Sequence, residues 1–277
     1  MTNVTIVIPV KNESINLGKC ISLLNNLGPV VVVDSSSIDD TQKVAKGMGA
    51  DLLNFNWNGK FPKKRNWTLR TYDFKTEWVL FLDADEFVTP EFIEEVKTSI
   101  ESNQYQGYWL NFSNYFMGKA LKGGDSFRKL ALFRIDSGEY EKIEEDSWSH
   151  LDMEVHEHPV LRGKIGEIVS PIEHNDFRGL KHYIAKHNEY STWEVLRYER
   201  LIGKHAAEWV GLTNRQKMKY RNLAKWWFAP VYFIVSYFLK KGFLDGAVGF
   251  HFTLMKAIYF YQIRLKIKER RGINCQN

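Results

Sequence analysis

Two carboxylates separated by one small residue, Asp83-Ala84-Asp85, close the apolar run Trp78-Val79-Leu80-Phe81-Leu82. Hard oxygen donors at that spacing can turn toward one Mg²⁺ or Mn²⁺, a cation that also takes phosphate oxygens. Another carboxylate, Asp34, ends the run Val30 to Val33, and Lys11-Asn12-Glu13 follows the run Val4 to Val10. The bland alternative is that Asp83 caps a turn while Asp85 and Glu86 are solvated loop charges. Their place at the end of a strand in a βα series favours the site.

The elements that must position these residues are legible as alternating patterns. Val4 to Val10 is nearly continuous in apolar residues, as expected of a strand buried on both faces. Asn12 to Leu27 has helical spacing and stops at Gly28-Pro29. Strands follow at Val30–Val33, Asp51–Phe55 and Trp78–Leu82. Helices are expected from the caps Ser37–Asp40 to Met48, over Lys63–Phe74, and from Thr89-Pro90 onward. Strands alternating with helices predict a doubly wound parallel α/β sheet. Ligands in such sheets bind beyond the carboxyl ends of the strands, where all the carboxylates above fall. Gln106 to about Val160 reads as short aromatic-rich strands and loops. Helical patterns return over Leu180–Gly203 and from Asn214 to the end.

Of the 277 residues, 44% are hydrophobic and 26% charged, which excludes a disordered or fibrous chain. Cys20 and Cys275 form neither a disulfide framework nor a thiolate zinc site, and a reducing cytosol fits them. The N-terminus carries no signal-peptide pattern. The only near match to a dinucleotide fingerprint, Gly47-Met48-Gly49-Ala50-Asp51, lacks the third glycine and follows a helix. A P-loop and an HExxH zinc motif are both absent.

Three ordered motifs are recognisable together: Ile6-Val7-Ile8-Pro9-Val10-Lys11-Asn12-Glu13, Val31-Val32-Val33-Asp34-Ser35-Ser36-Ser37 and Phe81-Leu82-Asp83-Ala84-Asp85-Glu86. They resemble the nucleotide-binding half of family 2 glycosyltransferases, which have the GT-A fold. A second block resembles the lipopolysaccharide-core β-glucosyltransferase subgroup: Met153-Glu154-Val155-His156-Glu157, Pro171-Ile172-Glu173-His174, and Tyr183 to Ser191. Lys241-Gly242-Phe243-Leu244-Asp245-Gly246 through Gly249-Phe250 belongs to the same likeness. Two departures stand out. The family's common Asp-Asp is Asp34-Ser35 here, and Val-His-Glu replaces its frequent Glu-Asp base motif.

The resemblance implies a metal-dependent, inverting transfer from a nucleoside diphosphate sugar, with UDP the first choice. It places Pro9, Lys11, Glu13, Asp34, Lys60, Lys64, Arg65 and Asp83 around the nucleotide. Asp85, aided by Asp83, would hold Mn²⁺ or Mg²⁺, with His174 or His156 as a further ligand or phosphate contact. Glu157 would be the general base, and Glu144, Glu145, Asp146 and Asp152 are rival acids. The implied acceptor is a lipid-anchored glycan such as a lipopolysaccharide or lipooligosaccharide core. A polyprenyl phosphate or capsule precursor is the alternative. A non-catalytic membrane-binding module would leave the Asp83-Ala84-Asp85 strand end unexplained.

Charge divides the chain. Residues 1–200 carry 24 Lys and Arg against 30 Asp and Glu, whereas residues 201–277 carry 14 against 3. The expected organisation is a GT-A domain over 1–200, with a nucleotide half 1–105 and an acceptor half 106–200, then a basic, aromatic helical region over 201–277. Trp226–Leu239 holds 14 uncharged residues, short of the roughly 20 a spanning helix needs. Phe250, Phe252, Leu254, Met255, Ile258, Tyr259, Tyr261 and Gln262 lead into Arg264, Lys266, Lys268, Arg270 and Arg271, a pattern suited to lying in an anionic membrane interface. Apolar runs such as Phe233-Ile234-Val235 among the basic residues suit lipid better than a nucleic-acid groove. The expected location is cytoplasmic, peripheral on the inner face of the cytoplasmic membrane. Packing on the catalytic domain or on a second subunit is the alternative.

Overall fold

The computed structural model describes residues 2–24, 26–102, 104–124, 127–142, 152, 158–203, 209 and 212–274. The chain forms two compact units, Met1–Tyr115 with Ser126–Phe177, and Phe116–Asp125 with Arg178–Asn277.

In the first unit, β1 (Val4–Val10), α1 (Ser14–Ser22), β2 (Val30–Asp34), α2 (Thr41–Gly47), β3 (Asp51–Asn54), α3 (Lys64–Thr71) and β4 (Trp78–Phe81) build a parallel half-sheet. Then come β5 (Glu86–Phe87), α4 (Pro90–Ile100) and β6 (Gly107–Phe116), and, after the two-residue β7 (Lys119–Ala120), β8 (Phe127–Arg134). A separate antiparallel pair, β9 (Gly138–Tyr140) and β10 (Pro159–Leu161), precedes β11 (Ile165–His174). The sheet order is β3-β2-β1-β4-β8-β6-β11-β5. β1 and β4 are buried along their whole length, which explains their unbroken apolar sequences. Thr89 caps α4 by accepting from Phe92 N at 3.2 Å, with Pro90 in its first turn, as the sequence predicts.

Three expectations are corrected here. The sheet is mixed, because β8 pairs antiparallel with both β4 and β6. The stretch read as short strands and loops after Gln106 therefore contains two long central strands. Second, α1 starts later than the apolar spacing suggests, because Asn12 adopts a positive φ of 57° that a helix cannot include. Third, the boundary drawn at residue 200 falls inside the helix Gly179–Gly203 (α5). The charge changes there, but the apolar face of α5 does not: Val195, Tyr198 and Leu201 pack with Tyr220, Leu223, Ile263 and Ile267.

The second unit is helical, with α5, the helices Asn214–Asn222 and Phe228–Ile234, and the long closing helix Gly246–Asn274. Its 240–249 turn admits no side chain at two points. A Cβ on Gly249 would meet Gly242 O at 2.1 Å, and one on Gly123 would meet Lys241 O at 2.2 Å. Asp245 fixes the contact by accepting from Lys122 N at 2.8 Å and Gly123 N at 2.9 Å. Glu194, buried on α5, pairs with Lys219 at 2.7 Å.

His187 is clasped between α5 and the closing helix. Its ring stacks on Tyr183 at 3.9 Å, Nδ1 lies 2.9 Å from Tyr183 O, and Nε2 lies 3.4 Å from Lys256 Nζ. Burial, aided by Lys256, lowers its pKa to about 4. The unfolded chain therefore takes up this proton first, and stability falls as pH drops from about 6.5 toward 4. Thermal unfolding of His187→Gln should show a shallower loss between those values than the wild type. Parallel curves would show that His187 does not set this dependence.

Candidate active site

The carboxyl ends of β1, β2 and β4 meet on one rim, and hydrogen bonds lace the first two together. Asn12 N donates to Ser37 Oγ at 2.8 Å, Ile38 N donates to Asn12 Oδ1 at 2.9 Å, and Glu13 N donates to Thr41 Oγ1 at 2.8 Å. Asp34 is fully buried. Its carboxylate accepts from Ser37 N at 3.0 Å, Gln42 Nε2 at 2.7 Å and the Ser37 hydroxyl. Three of roughly four acceptor positions are thus used by Ser37 and by Gln42 of α2. Pro9 lies beyond the last bond between β1 and the chain after β4, Leu82 N to Val7 O, where no backbone donor is needed. Lys11 is exposed at the rim and Glu13 is half-buried, accepting from Asn16 Nδ2 at 3.1 Å.

The basic residues separate. Lys60 is exposed, whereas Lys64 and Arg65 are buried at the start of α3. Lys64 Nζ donates to Val10 O at 3.0 Å and lies 3.5 Å from Asp152 Oδ2. Burial lowers the pKa of Lys64 despite Asp152. Lys64 is therefore a buried tie to the end of β1, not the solvated charge of a basic turn. Arg65 Nη2 donates to Asp83 Oδ1 at 2.8 Å.

The carboxylates after β4 have different partners. Asp83 is taken by Arg65 and, at 2.9 Å, by Lys129 Nζ. Burial opposes its ionisation, yet Lys129 and Arg65 hold its carboxyl well below the ordinary range. Lys129 also donates to Glu86 at 3.0 Å, and Glu86 Oε2 accepts from Asp83 N at 2.9 Å. Asp85 is buried, and its Oδ2 lies 3.5 Å from His174 Nε2. The antiparallel pairing of β5 with β11 sets His174 opposite Glu86 and so beside Asp85. His174 Nδ1 lies 3.3 Å from Asn114 Oδ1; donation there leaves Nε2 with a lone pair toward Asp85.

Glu157, His156, Glu144, Glu145 and Asp146 lie outside the described residues. Asp152, the remaining rival acid, is engaged with Lys64 through both its carboxylate and its carbonyl. Cys20 is buried and free; burial and then Glu86 raise its thiol pKa well above the ordinary value. Lys129 and Asn114 were missed by sequence reasoning. A lysine inside the apolar strand Phe127–Arg134 was the available signal, since a buried lysine requires a carboxylate partner.

Residues 5–155 match the family model described as "Glycosyl transferase family 2". The chain belongs to glycosyl transferase family 2. Its sheet is that of the GT-A fold, and the family transfers sugar from a nucleotide-sugar donor. This family 2 glycosyltransferase is 25% identical to an uncharacterized glycosyltransferase of Rickettsia typhi, over 100% of this chain and 92% of the relative. It is 24% identical to the lipopolysaccharide core biosynthesis glycosyltransferase LpsC of Rhizobium meliloti, over 96% of this chain and 92% of the relative. Among solved structures, S. aureus TarS matches at TM-score 0.44 and 16% identity, over 95% of this chain and 81% of that one. Glucosyl-3-phosphoglycerate synthase of Mycobacterium tuberculosis, solved with Mn²⁺, UDP and glucosyl-3-phosphoglycerate, matches at TM-score 0.32 and 22% identity, over 42% of this chain and 45% of that one.

Removing Lys129 leaves Glu86, only 2% exposed at its side chain, without its cation. Breaking such a pair from one side costs about 3–5 kcal/mol. Lys129→Met should lower the unfolding free energy by about that amount, and adding Glu86→Gln should recover part of it. Chemical denaturation of these and of Glu86→Gln alone checks both, and a double-variant loss equal to the sum of the single losses would show no coupling.

Proposed function

We propose that the enzyme is a metal-dependent, inverting hexosyltransferase that moves a sugar from a UDP-sugar to a lipid-anchored glycan, such as a lipopolysaccharide or lipooligosaccharide core. The observation that carries the reading is the opposition of Asp85 and His174 at the strand end. Two neighbouring ligands, each about 2.1 Å from one octahedral cation, stand about 3 Å apart, and these two atoms are 3.5 Å apart. One carboxylate and one imidazole suit Mn²⁺ first and Mg²⁺ second. Among the described residues no group of three or more His, Cys, Asp or Glu could hold a metal. Diphosphate oxygens and water would therefore complete the shell, as they ordinarily do for such cations. Bound there, a cation would supply charge neutralisation to the departing diphosphate.

The chain's own groups supply the rest. Asp34 keeps an acceptor position for a base N–H, while Pro9, Lys11 and Glu13 border the nucleotide. Lys60, Lys64 and Arg65 add positive charge on the diphosphate side; Asp83 orients Arg65 and does not reach for the metal. Glu157 takes the proton of the acceptor hydroxyl as its oxygen bonds the anomeric carbon and the bond to the diphosphate breaks, which inverts that carbon. The lipid-linked acceptor is supported by the likeness to the R. meliloti enzyme along nearly the whole chain. Such an acceptor calls for a peripheral location on the inner face of the cytoplasmic membrane.

Release of UDP from a panel of UDP-sugars, with Mn²⁺, with Mg²⁺ and with excess EDTA, tests the donor and metal together. Asp85→Ala should abolish release, and His174→Ala should raise the Mn²⁺ concentration required. Full activity of Asp85→Ala, or of the wild type in EDTA, would overturn the metal role. Glu157→Gln should lower turnover by roughly 10²–10⁴ with donor affinity unchanged, whereas a loss confined to donor affinity would remove Glu157 as the base.

A further inference from the structure

The closing helix Gly246–Asn274 is apolar on two sides. Thr253, Ala257, Ile263 and Ile267 are buried within the helical unit, as ordinary packing requires. Phe250, Leu254, Ile258, Tyr261 and Leu265, however, are each 38–47% exposed. Their spacing puts all five within an arc of about 80° at 100° per residue. The stripe spans Phe250 to Leu265, about 22 Å at 1.5 Å per residue. Lys268, exposed one turn beyond Leu265, is the first charged side chain on that line.

The stripe continues into the turn packed against the start of this helix, where Leu239 and Leu244 are 74% and 59% exposed. Lys240 and Lys241, both exposed, stand between them. An apolar area of this extent rimmed by charge marks an interaction surface. Charge complementarity selects the occupant. Residues 201–277 carry 14 basic against 3 acidic residues, so a second copy would bring like charge against like. An anionic lipid surface instead attracts the lysines and receives the apolar stripe. No described helix is long and apolar enough to cross a membrane, so this one lies along the surface.

We propose that the stripe Phe250–Leu265, with the 238–244 turn, docks this chain on the interface of an anionic lipid bilayer. The lysines sit at headgroup level, and Tyr261 contributes an aromatic anchor of the kind common at that depth. The docking needs neither the metal nor a particular acceptor, so it stands or falls apart from the proposed reaction.

Flotation of the full chain with vesicles of phosphatidylglycerol and phosphatidylethanolamine tests it, with phosphatidylcholine vesicles as the neutral arm. The wild type should float with the anionic vesicles, less at high salt, and only weakly with the neutral ones. Leu254→Glu with Ile258→Glu alters only exposed positions and should weaken vesicle binding at least about tenfold. Unfolding temperature and metal-dependent UDP release in the absence of lipid should stay unchanged. A wild type that fails to float at low salt, or a double variant that floats equally well, would overturn the proposal. So would a wild-type dimer that the double variant converts to monomer, since a second copy would then own the face.

Discussion

Compensation of negative charge at the end of β4 is the constraint on which the sheet unit depends. Asp83, Asp85 and Glu86 follow a strand with no exposed residue, and Asp85 and Glu86 are themselves buried. Carboxylates so placed must be paired or lose their charge. The cationic partners come from different parts of the chain, Arg65 from α3 and Lys129 from β8, while Asp85 lies beside His174 of β11. Each partner fixes an element. β8 must run antiparallel beside β4 for Lys129 to reach across, and β11 must pair with β5 for His174 to face Asp85. The cluster thereby sorts three similar acids into two tasks. Asp83 and Glu86 are spent on lysine and arginine, and Asp85 is left toward an imidazole.

The rim of β1 and β2 solves a different problem. Loops beyond the strand ends must hold irregular backbone still without secondary structure, so side chains replace the ladder. Asn12 and Ser36 both take positive φ, and Asn12, Ser37, Asp34 and Thr41 satisfy the backbone donors around them. Asp34 serves that scaffold with most of its acceptor capacity. A substitution there would act on the shape of both loops before any effect on a ligand. Lys64 extends the same logic, because its ammonium closes the carbonyl of Val10 at the edge of the rim.

Local patterns carried the reading where structure is local. The runs at Val4, Val30 and Trp78 identified β1, β2 and β4, and the acids at their ends were correctly placed on one rim. What sequence could not supply was register across distance. Asp85 and His174 stand 89 residues apart in the chain, and a two-residue pairing, Glu86 with His174 and Phe87 with Glu173, brings them together. Lys129 in β8 signals a buried carboxylate partner, but which one follows only from the order β4-β8-β6. The break placed at residue 200 failed differently. Charge is a property of surfaces, and α5 carries one continuous apolar face through the place where the surface charge changes.

The two units consequently handle charge in opposite ways. The sheet unit pairs its buried acids internally, so its electrostatics are directed at a small site. In the helical unit Lys219 pairs with Glu194 and Arg270 with Glu199, while several other basic residues are exposed. Lys225, Lys240, Lys241 and Lys268 remain at the surface among large apolar side chains such as Trp226, which is 72% exposed. In water, that arrangement forgoes hydrophobic burial and gathers like charge. Against an anionic interface, both terms change sign: the apolar stripe is removed from water, and each lysine gains attraction as it approaches the headgroups. On the proposed docking, the same face is unfavourable in water and favourable at an anionic interface.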